Sequence, residues 1–120
     1  MTTTNRWASV LSSGVILTVA GCETFQTVAP AVTPEMIAVA APDGGTAESL
    51  AVGRRLLATR CISCHSLVPI AKYPATQWPA QVEKMSSRAN LSSSEQAQIT
   101  AYLVTARRSL PTQGTERPGL

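Results

Sequence analysis

The chain has 120 residues, a formal net charge of +3 and 4% aromatic residues, enough for one small domain with ends attached. Its basic residues are scattered and are not interleaved with aromatics, which argues against a nucleic-acid binder. Three cysteines, an odd number, suit an oxidising environment only if they are consumed in separate ways.

Residues 1–21 read as a secretory leader. Arg6 and the amino terminus give a weakly positive start. Ala8 to Ala20 is an uncharged, mostly apolar run, too short to span a bilayer as a helix. The next residues, Val19-Ala20-Gly21-Cys22, resemble the bacterial lipoprotein signal, in which cleavage precedes a cysteine that becomes diacylglyceryl-modified and N-acylated. The resemblance implies lipidation of Cys22 and an exported protein held in a bacterial membrane, facing the periplasm. Glu23 stands where the inner-membrane retention signal carries Asp, which favours the outer membrane. An ordinary leader cut nearby, with Cys22 incidental, is the alternative. Each buried lipid methylene contributes about 0.8 kcal/mol, so three acyl chains would anchor durably.

Residues 22–46, rich in Ala, Pro, Thr and Val, read as a flexible tether. Pro30, Pro34 and Pro42 break any long helix, and Asp43-Gly44-Gly45 signals a turn. A coil of this length reaches about 28 Å and a polyproline-like one up to about 75 Å. A strap packed on the domain is the competing arrangement. The spacing then predicts a helix over Ala47 to Arg60, with Thr46 as N-cap. Leu50, Gly53, Leu57 and Cys61 fall on one face. Arg54, Arg55 and Arg60 occupy much of the rest, as a solvated face or a docking patch for an acidic partner. Gly53 costs about 1 kcal/mol against Ala, which close approach of another helix would explain.

Cys61-Ile62-Ser63-Cys64-His65 organises the rest. Two thiols three residues apart, followed at once by an imidazole, match the attachment site of a c-type haem, with Cys61 and Cys64 forming thioethers and His65 the proximal iron ligand. Half a zinc site is the first alternative, but no second Cys pair or His completes it. A thioredoxin-like redox pair is the second, but no strand-helix-strand pattern surrounds it. Export places the chain where such haem is attached, and the cysteine count closes if Cys22 is lipidated. Ser66 to Ala75 would wrap the haem edge, and Pro69 could offer a carbonyl to His65 Nδ1–H.

A middle helix is expected over Gln77 to Ala89, with Thr76 as cap and Pro79 tolerated in the first turn. Trp78, Val82 and Met85 make one stripe on it. The indole N–H of a buried Trp78 needs an acceptor, for which a haem propionate is one candidate. Ser92-Ser93-Ser94-Glu95 reads as a capping box opening a last helix that runs to Arg107 or Arg108. Ile99, Tyr102, Leu103 and Ala106 form its apolar stripe, with Tyr102 facing the gap at Gly53. Residues 111–120 read as a flexible tail.

For the second axial position the chain offers no other His. Met1 leaves with the leader and Met36 lies in the tether, so Met85 is the thioether in the folded part. It could equally be a core filler, or lie beside a five-coordinate iron. Gly53, Leu57 and Cys61, with Ile99, Tyr102 and Leu103, match the helix-crossing pattern of the class I cytochrome c family, which residues 47–108 resemble. Nineteen residues separate His65 from Met85, fewer than in mitochondrial-type members. The Trp-x-x-x-Val-x-x-Met segment instead resembles the small haem subunit of periplasmic sulfite dehydrogenases, where such a Met is the distal ligand.

The resemblance implies an all-α domain over 47–110, with three main helices around one covalent haem c. It implies a monohaem carrier of single electrons, serving redox partner proteins and not itself an enzyme. A non-catalytic, electron-accepting subunit of a periplasmic dehydrogenase is the alternative, and a haem-based gas or redox sensor the second. With the only His committed to iron, no Ser-His pair remains for nucleophilic catalysis. A core of about sixty residues is small without a staple, so the haem-free chain is expected to be largely unfolded.

Overall fold

The computed structural model describes residues 21–62 and 66–111, with side chains from Phe25 onward. The leader up to residue 20, Ser63, Cys64, His65 and the tail from residue 112 lie outside the described residues, as does the side chain of Cys22. Five α-helices run through the described part: α1 (Gly21–Val28), α2 (Pro34–Ala40), α3 (Ala47–Leu56), α4 (Trp78–Ser86) and α5 (Ser93–Ser109). Among the described residues there is no strand, in agreement with the all-α expectation.

The crossing of α3 with α5 is the frame. Thr46 caps α3 as expected, and its box is completed by Ser49. The Ser49 N–H donates to Thr46 Oγ1 at 3.1 Å and the Thr46 N–H to Ser49 Oγ at 2.9 Å. Ser92 and Glu95 close the corresponding box on α5. Each box satisfies amide donors that the first helical turn leaves without partners. Where the helices meet, a Cβ placed on Gly53 would run into the Gln98 carbonyl and lie 2.7 Å from Tyr102 Cβ. Only glycine fits there, and the facing stripe is sealed: Ile99, Tyr102 and Ala106 are fully buried and Leu103 nearly so.

The segment expected to be a flexible tether is instead packed, so the domain begins well before residue 47. Val28, Ala29, Met36 and Ala40 belong to the core, and α2 lies against α5. The prolines punctuate this strap without melting it. Pro34 sits at the start of α2, where no amide donor is lost, and Thr33 Oγ1 accepts the Met36 N–H at 3.3 Å. Pro42 lies in a short 3-10 turn, Ala41–Asp43, that ends at Gly44 with φ of 78°, a left-handed position glycine takes without strain. The three helices expected over residues 47–110 are α3, α4 and α5, and the strap adds α1 and α2.

The middle helix is shorter than the expected 77–89. Thr76 does not cap it but lies in a 3-10 turn, Ala75–Gln77, that runs straight into Trp78. Beyond Ser86 the chain loosens into turns and reverses at Asn90, whose φ is 50°. Asn tolerates this conformation better than most residues. The Leu91 N–H then donates to the Ser86 carbonyl at 2.9 Å.

Candidate functional site

At its C-terminal end α3 widens into a π-helical turn, Leu57–Cys61. Thr59 Oγ1 donates back to the Arg55 carbonyl at 2.8 Å within it, a local bond of the kind that bends helices. Both Leu57 and Cys61 face an apolar cleft. The opposite wall is α4, presenting Trp78, Val82 and Met85 in the expected stripe, and Ile99 and Leu103 of α5 also line it. The cleft is open at its mouth and encloses about 130 Å³, below the usual range of small-molecule and cofactor sites, about 300–1,000 Å³. Gln81 is the amide in the lining, and no charged side chain is among the described residues that line it.

The loop after the cysteine motif supplies Leu67, Val68 and Tyr73 to the walls, and it is firmly held. Arg107 Nε donates to the Tyr73 carbonyl at 3.1 Å. The Tyr73 ring meets Trp78 edge-on at 5.3 Å between centroids, a favoured aromatic geometry. Trp78, 4% exposed, does not depend on a propionate for its indole: Nε1 donates to the Ile70 carbonyl at 3.3 Å. That bond ties the start of α4 to the 3-10 turn Ile70–Lys72. The Pro69 carbonyl accepts the Lys72 N–H at 3.0 Å, while its expected partner His65 lies outside the described residues.

Of the expected site residues, the structure thus brings Cys61, Trp78 and Met85 to one cleft. Trp78 is buried and Met85 half-buried. Cys64 and His65 lie outside the described residues. Met36, set aside as a tether residue, is fully packed in the core but does not line the cleft. Sequence reasoning missed Val28 and Leu91 as wall residues. Leu91 had a signal: it stands just before the Ser92 cap, where an apolar residue commonly fixes the entry of the chain. Val28 had none beyond its place in an apolar run.

Of the three arginines of α3 and its extension, Arg55 and Arg60 are exposed and Arg54 is half-buried. Arg54 Nε donates to the carbonyls of Ala29 and Pro30, both at 3.0 Å, and Arg60 pairs with Glu95 at 2.9 Å. The Tyr102 hydroxyl donates to the same Pro30 carbonyl at 2.6 Å. Burial pushes the Tyr102 pKa up to about 12, with Arg54 pulling the other way. Among the described residues no three His, Cys, Asp or Glu side chains gather to hold a metal ion, and no helix is long and apolar enough to cross a membrane. Comparison with protein-family models, curated proteins and solved structures finds no match to this chain.

Proposed function

We propose that the chain is an exported, lipid-anchored monohaem c-type cytochrome that carries single electrons. One observation supports this above the others. Cys61, the first cysteine of the Cys-Ile-Ser-Cys-His motif, and Met85 line the same apolar cleft from different elements. A thioether suits an axial position on iron, a thiol in the wall can bond to the edge of the macrocycle, and walls that carry no charged side chain among the described residues suit a flat apolar ring. In the chemistry of its described lining, though not in its present width, the cleft therefore suits a haem. Cys61 and Cys64 would hold it through thioethers, with His65 and Met85 as iron ligands.

Bound haem supplies reversible one-electron chemistry, at a potential that a Met/His ligand pair raises. The chain's own part is to position and to exclude water. Leu57, Val82 and Leu103 present hydrocarbon to the cleft. The bonds from Trp78 to Ile70 and from Arg107 to Tyr73 fix the loop that faces α4. A wall held in this way needs little rearrangement when charge changes beside it. Cys22, acylated, would fix the protein to the membrane.

The test is an optical spectrum of the protein expressed with a c-haem attachment machinery. Haem that stays bound through denaturation, and a long-wavelength band of iron–thioether ligation, are expected. Met85→Ala should abolish that band and leave the haem covalent. An unchanged spectrum removes Met85 as a ligand, and a colourless but compact protein ends the proposal.

A further inference from the structure

Val28 lines the cleft and lies on α1, six residues beyond Cys22. At 1.5 Å per residue the two backbones are about 9 Å apart along the helix axis, and six residues in any conformation span at most about 21 Å. Beyond Val28 the chain has no slack. Ala29 is fully buried, and the Pro30 carbonyl takes bonds from both Tyr102 and Arg54. Met36 and Ala40 then sink into the core. A lipid on Cys22 would therefore stand next to the cleft, not at the far end of a stalk.

The exposed apolar side chains point the same way. Among the described residues the large exposed hydrophobics are Phe25 and Ile62, at 39% and 53%. Phe25 lies one turn before Val28 on α1, and Ile62 follows Cys61, so each adjoins a residue of the cleft lining. Arg54 stands 5.3 Å from the centroid of the Phe25 ring. Lys72 stands 5.6 Å from that of Tyr73, itself a wall residue. Aromatic and aliphatic side chains accompanied by cations suit the headgroup region of a bilayer containing anionic lipid.

We propose that the cleft-bearing face lies on the lipid surface that anchors Cys22, with Phe25 and Ile62 seated among the headgroups. The inference rests on the lipidation and haem readings above and adds an orientation to them. Electrons would then enter and leave in the plane of the membrane.

The full chain, lipidated and haem-loaded, is placed in vesicles of phosphatidylethanolamine and phosphatidylglycerol with a trace of headgroup-dansylated lipid. Haem near the surface quenches the dansyl emission. Strong quenching is expected in the parent protein, and most of it should persist when a flexible Gly-Ser run is inserted between Glu23 and Thr24. Adding Phe25→Asp and Ile62→Asp to the insertion should remove most of it. Should that pair lose haem, insertion with Phe25→Asp alone is read instead, with a partial loss expected. If the insertion alone abolishes quenching as fully as insertion plus substitution, the face has no affinity for lipid and the proposal falls. A coloured protein that quenches no more than the inserted, substituted form also overturns it. A colourless protein, or one that does not stay with the vesicles, overturns the reading beneath it and the orientation together.

Discussion

Leu50 and Leu57 stand seven residues apart on one face of α3 and the turn that extends it, and both are almost wholly shielded from water, at 2% and 6% exposed. Their surroundings differ. Leu50 does not line the cleft and packs in the closed part of the core, whereas Leu57 looks into the cleft. Between them lies Gly53, where α3 and α5 approach to the limit that a missing Cβ allows. One end of the helix is therefore sealed by protein, and the other is sheltered by walls that stand apart. Burial alone does not separate the two positions; the presence of neighbouring atoms does.

This difference can be measured with one substitution made twice. Leu50→Ala should cost about 4 kcal/mol, the transfer term plus a cavity that the tight crossing cannot collapse. Leu57→Ala should cost the same in haem-bearing protein, because a filled cleft turns the deletion into a cavity as well. If the cleft stands as the protein alone leaves it, the cost falls to about 2 kcal/mol, near the transfer term by itself. Urea denaturation of the two variants reads the result. Equal costs support a filled cleft, and a persistent gap of about 2 kcal/mol argues against one.

Forcing the sealed end apart should cost slightly less. Gly53→Leu meets the Gln98 backbone carbonyl first, which cannot rotate away as a side chain could, so a loss of about 3 kcal/mol is expected. A loss below about 1 kcal/mol in the same assay would mean that the crossing gives more readily than its geometry implies.

Tyr102→Phe is milder, at about 1 kcal/mol, because the Pro30 carbonyl keeps its bond from Arg54 and no acceptor is stranded. Its signature is in the pH dependence. Tyr102 has a folded pKa raised from 10.0 to about 12, so its contribution is fully present below pH 10 and is lost as pH rises through the folded value. The parent protein should lose stability over that window, and Tyr102→Phe should lose less. Parallel curves would remove Tyr102 as the titrating group.

The sealed end was largely legible in the sequence. The spacing of Leu50, Gly53 and Leu57, the caps at Thr46 and Ser92, and the α5 stripe from Ile99 to Ala106 all stand where periodicity puts them, because local pattern and tertiary packing demand the same residues there. The trio of Cys61, Trp78 and Met85 in the cleft was legible for the same reason. The strap was not. Pro34 and Pro42 look like breakers until their positions at helix starts are known, and the hold of the strap on the domain draws on bonds from Arg54 and Tyr102 to the carbonyls of Ala29 and Pro30. Backbone acceptors leave no trace in side-chain pattern. The Trp78 bond to the Ile70 carbonyl is illegible for the same reason: the sequence shows that the indole needs an acceptor, but not that a backbone carbonyl provides it.

The smallest effect concerns the seam where the two ends join. Arg60 precedes Cys61 in the near wall of the cleft and pairs with Glu95 in the cap of α5. The Glu95 carboxyl is held below its ordinary 4.5, first by the Ser92 backbone N–H, with burial opposing and Arg60 assisting. A carboxylate lowered in this way contributes stability above its unfolded pKa, and that contribution is lost as pH falls through the folded value. The order of causes makes the cap, not the ion pair, the main source of this acid sensitivity. Ser92→Ala and Arg60→Ala separate the two. The first removes the hydroxyl that accepts the Glu95 N–H at 3.2 Å and disorders the reciprocal box, so it should flatten the acid limb of the melting temperature against pH. The second should lower the curve slightly and leave its shape. If Arg60→Ala flattens the limb instead, the wall of the cleft and the cap of α5 are joined chiefly by charge. The seam would then weaken with added salt, as exposed ion pairs do.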